Sequence, residues 1–565
     1  MFKKNKKRKI ILIILLLVLV ISGFLFYFLN IKSSSKKTTA TSITYNASDY
    51  NDDFSDCEEV VVNLDDVDSK YTITKRGVYR LTGSLNGYIE VNTSSNVKII
   101  LDNATITNST GPAIYVKDGK DTYIELVGES TLTDASSYSG FSDTINSCIY
   151  SSDDLVIQGD GTLNINAKYQ DGITSKDNVV IKSGNINIES NDDGIRGKDA
   201  VIIMNGNITI NSKGDGIKST NSTDSSKGYI LIQNGTFNIT STNDAIDAYT
   251  NLEIDDGNFT ITTGGGSSNA STKSSWGNWG SNSSSDTASS KGLKAKGSIL
   301  IKNINATLDT SDDAIHSNSV VNIKNGSINI SSGDDGIHAD STITIDNGTI
   351  NITKSYEGIE ANYVTINDGT ISVVASDDGI NINGGNDDSA GGGRPGANNY
   401  SNTSSDEDVL LTINGGTITV NSDGDGLDSN GSIIMNGGTV YVDGPTNSGN
   451  GALDYNNTFT MNGGTIIAIG SSGMAQNISQ SSSQNGVLIN LSNSYSAGTT
   501  IEIGDIKYTS LKSFNSILIS SSSLKTGESY NVKLNGQTVT SFTISSVTTN
   551  VGNTSGGMGG NPGRR

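Results

Sequence analysis

Carboxylates recur in this sequence at a fixed interval, each standing before a glycine or alanine and then an aliphatic residue. The set consists of Asp171, Asp193, Asp215, Asp244, Asp313, Asp335, Glu357, Asp378 and Asp425. Intervals of 22 residues separate Asp171, Asp193 and Asp215, and the same interval returns after Asp313. Two carboxylates stacked about 4.8 Å apart repel each other by roughly 3 kcal/mol at an effective dielectric constant of about 20. Repeated stacking therefore indicates bound cations, although aspartate before glycine is also a common turn residue.

Calcium is the cation that best fits such a stack. It takes about six to eight oxygen ligands at about 2.4 Å, which carboxylates of neighbouring repeats and turn carbonyls could supply. The chain has only 2 His and 2 Cys, so a zinc or iron site is not expected. The predicted calcium ligands are Asp215, Asp244, Asp247, Asp313, Asp335 and Asp378.

The position three residues after each carboxylate, or after its equivalent, defines a second set that we call the +3 column. Its members are Arg196, Lys218, Asp247, Lys294, His316, His338, Glu360, Asn381, Asp428 and Asp454. One interpretation of this set is a solvated face. The other is that Arg196, Lys218 and Lys294 bind an acidic polysaccharide beside calcium. We interpret His316 and His338 as a stacked, exposed pair in the same binding surface rather than as a metal site.

Three short segments repeat in a fixed order around these residues. The carboxylate motif is followed by an apolar alternation such as residues 179–181 and by a glycine-led run such as residues 184–188. Three short strands in 22 residues are typical of one coil of a parallel β-helix, whose coils stack about 4.8 Å apart over a common aliphatic core. We therefore predict an all-β, single-stranded parallel β-helix with ~22-residue coils.

Composition shifts divide the chain further. The predicted segments are a membrane anchor or signal segment at 1–30, a linker at 31–53, the β-helix at 54–485, a small β cap at 486–550 and a disordered tail at 551–565. Low-complexity insertions at 264–290 and 384–408 are predicted to form loops on the helix. Trp276 and Trp279, both in the first insertion, could clamp a sugar ring or pin the loop onto the rod.

The N-terminus predicts export. A basic start, "MFKKNKKRK", precedes an apolar run of about 20 residues, long enough to cross a bilayer as a helix. We expect an uncleaved transmembrane anchor on the extracellular face of the membrane, with a cleaved signal as the alternative. A net charge of −21 argues against a nucleic-acid partner, and we expect a monomer. Cys148 is interpreted as a packed residue, although a disulfide with Cys57 is an alternative.

The sequence resembles a known family. "KDAVIIMNGNITINSKGDGIKS" at 198–219, "SDDAIHSN" at 311–318 and the Trp-containing Gly/Ser insertion are similar to bacterial cell-surface carbohydrate-binding domain-containing proteins. The resemblance covers most of the chain from about Phe54 onward. It implies a right-handed parallel β-helix, bound calcium and binding of cellulose or pectin-like acidic polysaccharide such as polygalacturonate. It also implies a structural kinship to polysaccharide lyase family 9.

That kinship implies an enzymatic alternative. The lyases hold calcium with an aspartate cluster and use a lysine base, and the residues here that match are Asp215, Asp244 and Asp247, with Asn243 in place of another aspartate. Lys294 or Lys218 could offer the amine. A lysine in an acidic protein is normally charged, so we expect binding without catalysis. Lyase activity and adhesion without glycan specificity are the alternatives.

Overall fold

The computed structural model describes residues 39–51, 53–270, 289–382 and 409–552. The chain divides into two units, Met1–Thr39 and Ala40–Arg565, and the described residues after Thr39 belong to the second. The predicted anchor at residues 10–29 lies outside the described residues. In the part of the chain that is described, no helix is long and apolar enough to cross a membrane.

The described structure consists of β-strands that return to the same three sheets coil after coil. Sheet 1 contains the strands that carry the carboxylate motif. Its strands are Lys70–Ile73, Tyr88–Asn92, Ile114–Asp118, Ser147–Ser151, Asp171–Ser175, Ile195–Gly197, Ile217–Ser219, Ile246–Ala248, Leu293–Ala295, Ile315–Ser317, the first part of Ile337–Ile345 and of Ile359–Ile366, Ile380–Ile382, Leu427–Ser429 and Leu453–Tyr455. Each pairs in parallel with the strand one coil away.

Sheet 2 contains the apolar alternations, again in parallel register. Its strands are Glu59–Asn63, the first part of Gly77–Asn86 and of Val97–Thr107, Asp121–Val127, Asp154–Gly159, Asn178–Ile181, Ala200–Ile203, Tyr229–Ile232, Leu252–Ile254, Ile299–Ile301, Val320–Ile323, the second part of Ile337–Ile345 and of Ile359–Ile366, Leu410–Ile413, Ser432–Met435 and Phe459–Met461. The strands Ile337–Ile345 and Ile359–Ile366 thus continue without a break from sheet 1 into sheet 2.

Sheet 3 contains the glycine-led runs and is also parallel. Its strands are the second part of Gly77–Asn86 and of Val97–Thr107, Glu129–Thr133, Thr162–Ala167, Asn185–Ser190, Asn207–Ser212, Thr236–Ser241, Asn258–Thr263, Asn305–Thr310, Ser327–Ser332, Thr349–Lys354, Thr370–Ala375, Thr417–Ser422, Thr439–Asp443 and Thr465–Gly470. The glycine before most of these runs lets neighbouring coils approach closely. At Gly416, for example, φ is 83° and a Cβ atom would lie 2.7 Å from the carbonyl oxygen of Gly369.

The core of the β-helix follows from the period-2 alternation within each strand. In Asn207–Ser212, Ile208 and Ile210 point inward and are buried while the residues between them are exposed. The inward residues of all coils form one continuous aliphatic cluster from Val62 to Leu518. This architecture confirms the all-β prediction, and its large, mostly parallel sheet is consistent with a β-helix. The right-handed sense stays a prediction.

The segment before the helix, which we call the strap (residues 40–51 and 53–57), packs along sheet 2, although we predicted a linker over 31–53. Ala40 N–H donates to Asn322 Oδ1 at 2.6 Å, and the Tyr50 carbonyl accepts from Lys182 Nζ at 2.7 Å. Phe54 is buried near the C-terminal end of the strap, in a cluster that includes Tyr123 of sheet 2. The strap includes a short 3-10 helix, Ala47–Tyr50.

The strap explains why the middle residue of several sheet 2 strands is apolar. These residues point away from the aliphatic core, yet they are buried beneath the strap or beside it. They are Tyr123, Val156, Val180, Ile202, Leu231 and Leu300. The equivalent residue two coils beyond Leu300 is Thr344, which is half-buried.

A smaller β unit closes the C-terminal end of the helix. Phe514–Ser521 pairs antiparallel with both Thr465–Gly470 and Gly486–Tyr495, and Thr548–Val551 completes that edge. A separate four-stranded antiparallel sheet contains Thr500–Ile503, Ile506–Thr509, Ser529–Leu534 and Gln537–Thr543. The remaining 3-10 helices are Leu64–Asp66 and Ser267–Asn269. Cys57 and Cys148 are not joined by a disulfide.

Candidate functional site

The repeated carboxylates form a hydrogen-bonded ladder at the corner that leads into sheet 1. Asp171 Oδ1 accepts the backbone N–H of Asp193 at 3.2 Å, and Asp193 Oδ1 accepts that of Asp215 at 2.9 Å. Further along, Asp313 Oδ1 accepts the N–H of Asp335 at 3.0 Å. Each aspartate of the set thus accepts a backbone N–H at the corner of the following coil. This contact accounts for one oxygen of each group and gives the repeat a structural reason.

The second carboxylate oxygen faces the +3 column, where the protein supplies its own cations. Strand pairing confirms that the members of the +3 column from Arg196 to Asp454 follow one another in register. The ion pairs in its basic part are Arg196–Asp171 at 2.5 Å, Lys294–Asp244 at 2.7 Å and Lys218–Asp215. In this part of the ladder, side chains of the protein therefore supply positive charge beside the stacked aspartates, and bound calcium stays a prediction.

These ion pairs are largely buried. Burial raises the pKa of Asp215 to about 7, with repulsion from Asp244 adding to the effect and Lys218 opposing it. Burial alone would lower the pKa of Lys218, but the charges of Asp215 and Asp193 outweigh it, so that pKa is raised. The same balance raises the pKa of Lys294. Both lysines therefore stay protonated at neutral pH.

The two histidines are stacked as predicted, but the prediction that they are exposed is wrong. The rings of His316 and His338 lie 4.9 Å apart between centroids, with 9° between planes, and their exposed fractions are 4% and 0%. His338 contacts three carboxylates, with Nδ1 3.0 Å from Glu360, and Nε2 3.2 Å from Asp340. Burial opposes its charge, yet Asp335 and its two other acidic partners raise the pKa of His338.

A buried lysine that the sequence argument missed lies beside the histidines. Lys291 occupies the carboxylate position of its coil, and its N–H donates to Asp244 Oδ1 at 2.7 Å. Its Nζ lies 2.8 Å from Asp312 Oδ1 and 2.7 Å from Asp313 Oδ2. Burial would raise the pKa of Asp313, but Lys291 and His316 hold it well below its usual range.

The carboxylates near the C-terminal end lack such partners. Asp378, Asp425 and Asp428, which we call the acidic cluster, offer oxygens that all lie within 4.8 Å of one another. Burial, with repulsion from neighbouring aspartates that include Asp377 and Asp454, raises their pKa values to about 8, 6 and 7, respectively. Within the described ranges, no lysine, arginine or histidine forms an ion pair with these three residues.

A buried amide oxygen lies next to the acidic cluster. Asn381 pairs in register with Asp428, and its exposed fraction is 2%. Its Nδ2 donates to Glu357 Oε2 at 2.8 Å, whereas its Oδ1 has no hydrogen-bond partner among the described residues. An acceptor left unpaired beside carboxylates is unfavourable, and a cation would satisfy it.

Three lysines with no acidic partner among the described residues lie just after the ends of sheet 1 strands, beside the +3 column. These corner lysines are Lys176, Lys198 and Lys296, whose N–H groups donate to the preceding coil at Ser151, Ser175 and Ala248. Lys198 and Lys296 are exposed. In the described part of the structure none of the three forms an ion pair.

A groove lies between the +3 column and the corner lysines. It has a volume of about 610 Å³ and is lined by Asp247, Ala248, Tyr249, Lys294, Lys296 and Asn318. Lys296 Nζ lies 4.7 Å from the centre of the Tyr249 ring and 3.1 Å from its hydroxyl. The groove thus combines an aromatic ring, an ammonium group without an acidic partner among the described residues, and amide and carboxylate acceptors. Together these groups suit a polar, anionic ligand with ring faces.

The predicted calcium ligands fall into four separate groups. The groups are Asp215 with Asp244 and Asp247; Asp313 with Asp312 and Asp334; Asp335 with His338 and Glu360; and Asp378 with Asp425 and Asp428. Among the predicted ligands, only Asp378 lies in a group that has no cationic neighbour within the described ranges. Trp276 and Trp279 lie outside the described residues.

Several site residues were missed by the sequence argument, and most left a signal. Lys291 precedes Gly-Leu, a variant of Asp-Gly-Ile, so its position in the ladder could have been read from the repeat. Asp425 and Asp428 were assigned to the repeat but not to a metal site. The corner lysines follow the sheet 1 strands in several coils, but their lack of partners depends on side-chain contacts that a repeat pattern does not contain.

Comparison with known proteins shows which family this chain resembles. A family model described as carbohydrate-binding domain-containing protein matches residues 67–336 and 334–394. A protein of that description from Acetivibrio thermocellus is 35% identical over 144 residues, which are 23% of this chain and 50% of the relative, so the chain spans about half of its length. A solved structure, described as a polysaccharide lyase-like protein from C. thermocellum in a gadolinium derivative, is 29% identical and covers 43% of this chain and 96% of its own, with a TM-score of 0.37. The family match covers more than half of the sequence and confirms the resemblance, so the chain belongs to the carbohydrate-binding domain-containing proteins.

Proposed function

We propose that this protein binds an acidic polysaccharide of the pectin type along the corner of sheet 1 without cleaving it. The observation that carries the proposal is the contrast between two sets of basic residues. Arg196, Lys218 and Lys294 are neutralised by buried aspartates, whereas the corner lysines are available to a ligand. The predicted substrate-binding role therefore extends from the +3 column to its neighbouring line.

The groove beside Tyr249 supports this assignment. A uronate ring that enters it could contact both the Lys296 ammonium group and the Tyr249 ring, whose centre lies 4.7 Å from Lys296 Nζ. Charge-assisted hydrogen bonds from ammonium groups to carboxylates are among the stronger polar contacts. Asn318 adds an amide that can hydrogen-bond to a sugar hydroxyl.

The ion pairs favour binding over elimination. A lyase needs a neutral amine to remove a proton. The pKa values of Lys218 and Lys294 are both raised by their aspartate neighbours, so each amine carries its proton at neutral pH. In this arrangement neither lysine is suited to act as a base.

We further propose that calcium binds at the acidic cluster. Asp378, Asp425 and Asp428 present only oxygen donors, and Asn381 Oδ1 adds an unpaired one beside them. This donor set suits Ca²⁺ or Mg²⁺ rather than a soft metal. Bound calcium would supply a positive charge at the acidic end of the +3 column, where it could also meet a carboxylate of the polysaccharide.

The sequence supports an extracellular location for this activity. The basic start and the apolar run at residues 10–29 favour export with a retained anchor, and the net charge of −21 suits a surface protein that binds cations. We propose that the β-helix therefore meets polysaccharide outside the cell.

Removing the corner lysines should weaken binding without harming the fold. We expect the double variant Lys198→Ala/Lys296→Ala to bind polygalacturonate about threefold to tenfold more weakly, because two exposed charges each contribute modestly to affinity. Isothermal titration at low ionic strength measures the change. Lys533→Ala removes an exposed lysine from the C-terminal cap and serves as the matched control.

The same experiment separates the alternatives. Equal affinity of the double variant and the Lys533→Ala variant would refute the lysine assignment. Appearance of ultraviolet absorbance from an unsaturated product, lost in Lys294→Ala, would show a lyase instead. Equal retention on neutral cellulose and on polygalacturonate would show that charge does not select the ligand.

A further inference from the structure

The +3 column continues toward the N-terminus beyond its predicted members. Strand pairing places Thr174 next to Arg196, Tyr150 next to Thr174, and Tyr115 next to Tyr150. Each of these tyrosines follows a variant of the repeated motif, Ala113-Ile114 and Cys148-Ile149. Two aromatic rings thus occupy the positions that charged residues occupy in later coils.

These tyrosines belong to a larger aromatic group on the outer side of sheet 1, which we call the aromatic corner (Tyr88, Tyr115, Phe141 and Tyr150). The rings of Tyr115 and Tyr150 lie 5.9 Å apart between centroids. Phe141 meets Tyr88 and Tyr115 edge-on, at 5.5 and 5.6 Å. None of the four residues belongs to the aliphatic core of the described helix, which lies on the opposite side of the sheet.

Cationic groups border this aromatic surface. Lys176 Nζ lies 5.6 Å from the centre of the Tyr150 ring, and Lys70 Nζ lies 5.8 Å from that of Tyr88. Burial is the largest cause that raises the pKa of Tyr115, so its hydroxyl stays neutral. Lys176, like Lys296, forms no ion pair in the described part of the structure, whereas Lys70 pairs with Glu90 at 3.4 Å. Tyr150 is buried, with 6% of its surface exposed, so the accessible rings of this surface are the half-buried Tyr88, Tyr115 and Phe141.

Phe141 reaches this surface from an exposed loop rather than from a strand. The loop joins Glu129–Thr133 to Ser147–Ser151, and residues 142–144 beside Phe141 are exposed. Gly111 makes room for the ring, because a Cβ atom there would lie 2.1 Å from Phe141 Cε2. A half-buried phenylalanine held at the tip of a polar loop provides apolar surface where the strands themselves are polar.

We infer that the aromatic corner is a second sugar-binding subsite, which holds one end of the acidic polysaccharide while the groove at Lys296 holds another part. This inference rests on the proposed function. Five coils separate Tyr150 from Lys294 along the +3 column, a distance of about 24 Å at the usual strand spacing. The corner lysines Lys176 and Lys198 lie between the two subsites. A long oligosaccharide can therefore contact both, and a short one only one.

The inference predicts a dependence of affinity on ligand length. Wild-type protein should bind oligogalacturonides more tightly as they lengthen, until they span both subsites. We expect Tyr115→Ala and Phe141→Ala to remove that gain, with about threefold to tenfold weaker binding of long oligomers, the range typical of a lost aromatic contact. Oligomers that are too short to span both subsites should bind to the Lys296 groove of these variants as tightly as to that of the wild type. Isothermal titration with oligomers of defined length measures each value.

Controls keep the test independent of folding. Tyr115→Phe retains the ring and should bind as the wild type does, and Tyr441→Ala removes a stacked tyrosine at the other end of the helix and should have no effect. If the alanine variants keep the full gain with length, the aromatic corner is not a subsite, while polysaccharide binding itself stands. If the wild type binds no oligomer of any length, both the proposed function and this inference are wrong.

Discussion

Replacing Lys291 by methionine is expected to lower the free energy of unfolding by about 3–5 kcal/mol, the cost of removing one partner from a buried ion pair. Of its ion pairs among the described residues, Asp313 keeps only that with His316, at 2.8 Å. The Lys291 side chain is 8% exposed, and that of Asp313 is 1% exposed. Without the ammonium group, Asp312 and Asp313 would keep two carboxylates at the same buried corner. Chemical denaturation followed by far-ultraviolet circular dichroism measures the loss.

A surface ion pair of similar geometry is the control for this prediction. Lys324 Nζ lies 2.6 Å from Asp346, but the two side chains are 47% and 32% exposed. We expect Lys324→Met to change the free energy of unfolding by only about 0–1 kcal/mol. The double variant Lys291→Met/Asp313→Asn should recover part of the lost stability, because it removes a charge together with its partner. Equal stability of the two lysine variants would contradict the assignment of Lys291.

The repeat predicted the fold because β-helix geometry is periodic. A constant interval of 22 residues places equivalent residues one above another, and alternation of Ile with Asn or Thr fixes which of them face the core. The register of the +3 column followed from the same arithmetic, and strand pairing confirms it from Arg196 to Asp454. Insertions did not disturb it, since coils on both sides of 271–288 remain in register.

Burial of the charged corner could not be predicted in the same way. A position that points away from the core is normally exposed, yet His338 and Asp313 are fully covered by their neighbours in adjacent coils. Whether a carboxylate meets a lysine, a histidine or another carboxylate depends on one residue in the next coil. The repeat pattern does not distinguish these neighbours, so the sequence predicted calcium along the whole ladder.

The strap left a signal in the sequence that was not used. Several sheet 2 strands of the first coils have three apolar residues in a row, such as residues 179–181, whereas strands at 343–345 and 364–366 have threonine in the middle. A strand that is apolar on both faces is buried on both faces. The change from one pattern to the other therefore indicates that something covers sheet 2 in the first coils.

The two ends of the charged corner differ in how readily they could bind a cation. Near Lys218 and Lys294 the aspartates are held by the protein itself, so adding a cation there would require an ion pair to break. At Asp378, Asp425 and Asp428 no ion pair has to break among the described residues. Their pKa values are raised chiefly by burial and also by neighbouring aspartates, so their charged forms are unfavourable without a cation. We therefore expect a cation to bind most favourably at the acidic cluster.

Calcium is therefore expected to stabilise the protein strongly at alkaline pH and little in acid. In a chelator, folded Asp378, Asp425 and Asp428 keep protons up to pKa values of about 8, 6 and 7, while unfolded carboxyls lose theirs near pH 4. The folded state then binds more protons between these limits, so stability falls as pH rises, by about 1.4 kcal/mol per pH unit for each retained proton. Calcium should cancel this fall because it neutralises the same charges. Thermal midpoints at pH 5 and pH 8, with calcium or with chelator, measure the effect.

Two variants decide where that calcium effect arises. Asp425→Asn/Asp428→Asn should remove most of the calcium-dependent rise in the thermal midpoint at pH 8, and should also raise the midpoint in chelator because it relieves repulsion. Asp215→Asn/Asp244→Asn is the matched control, since it alters a group of the same size whose carboxylates already contact Lys218 and Lys294. That control should keep the calcium response in full. The opposite outcome, a response lost with Asp215 and Asp244 but retained without Asp425 and Asp428, would move the ion to the basic half of the +3 column. There it could bind only by displacing the lysines, and the freed amines would then be candidates for the proton transfer that the ion pairs now prevent.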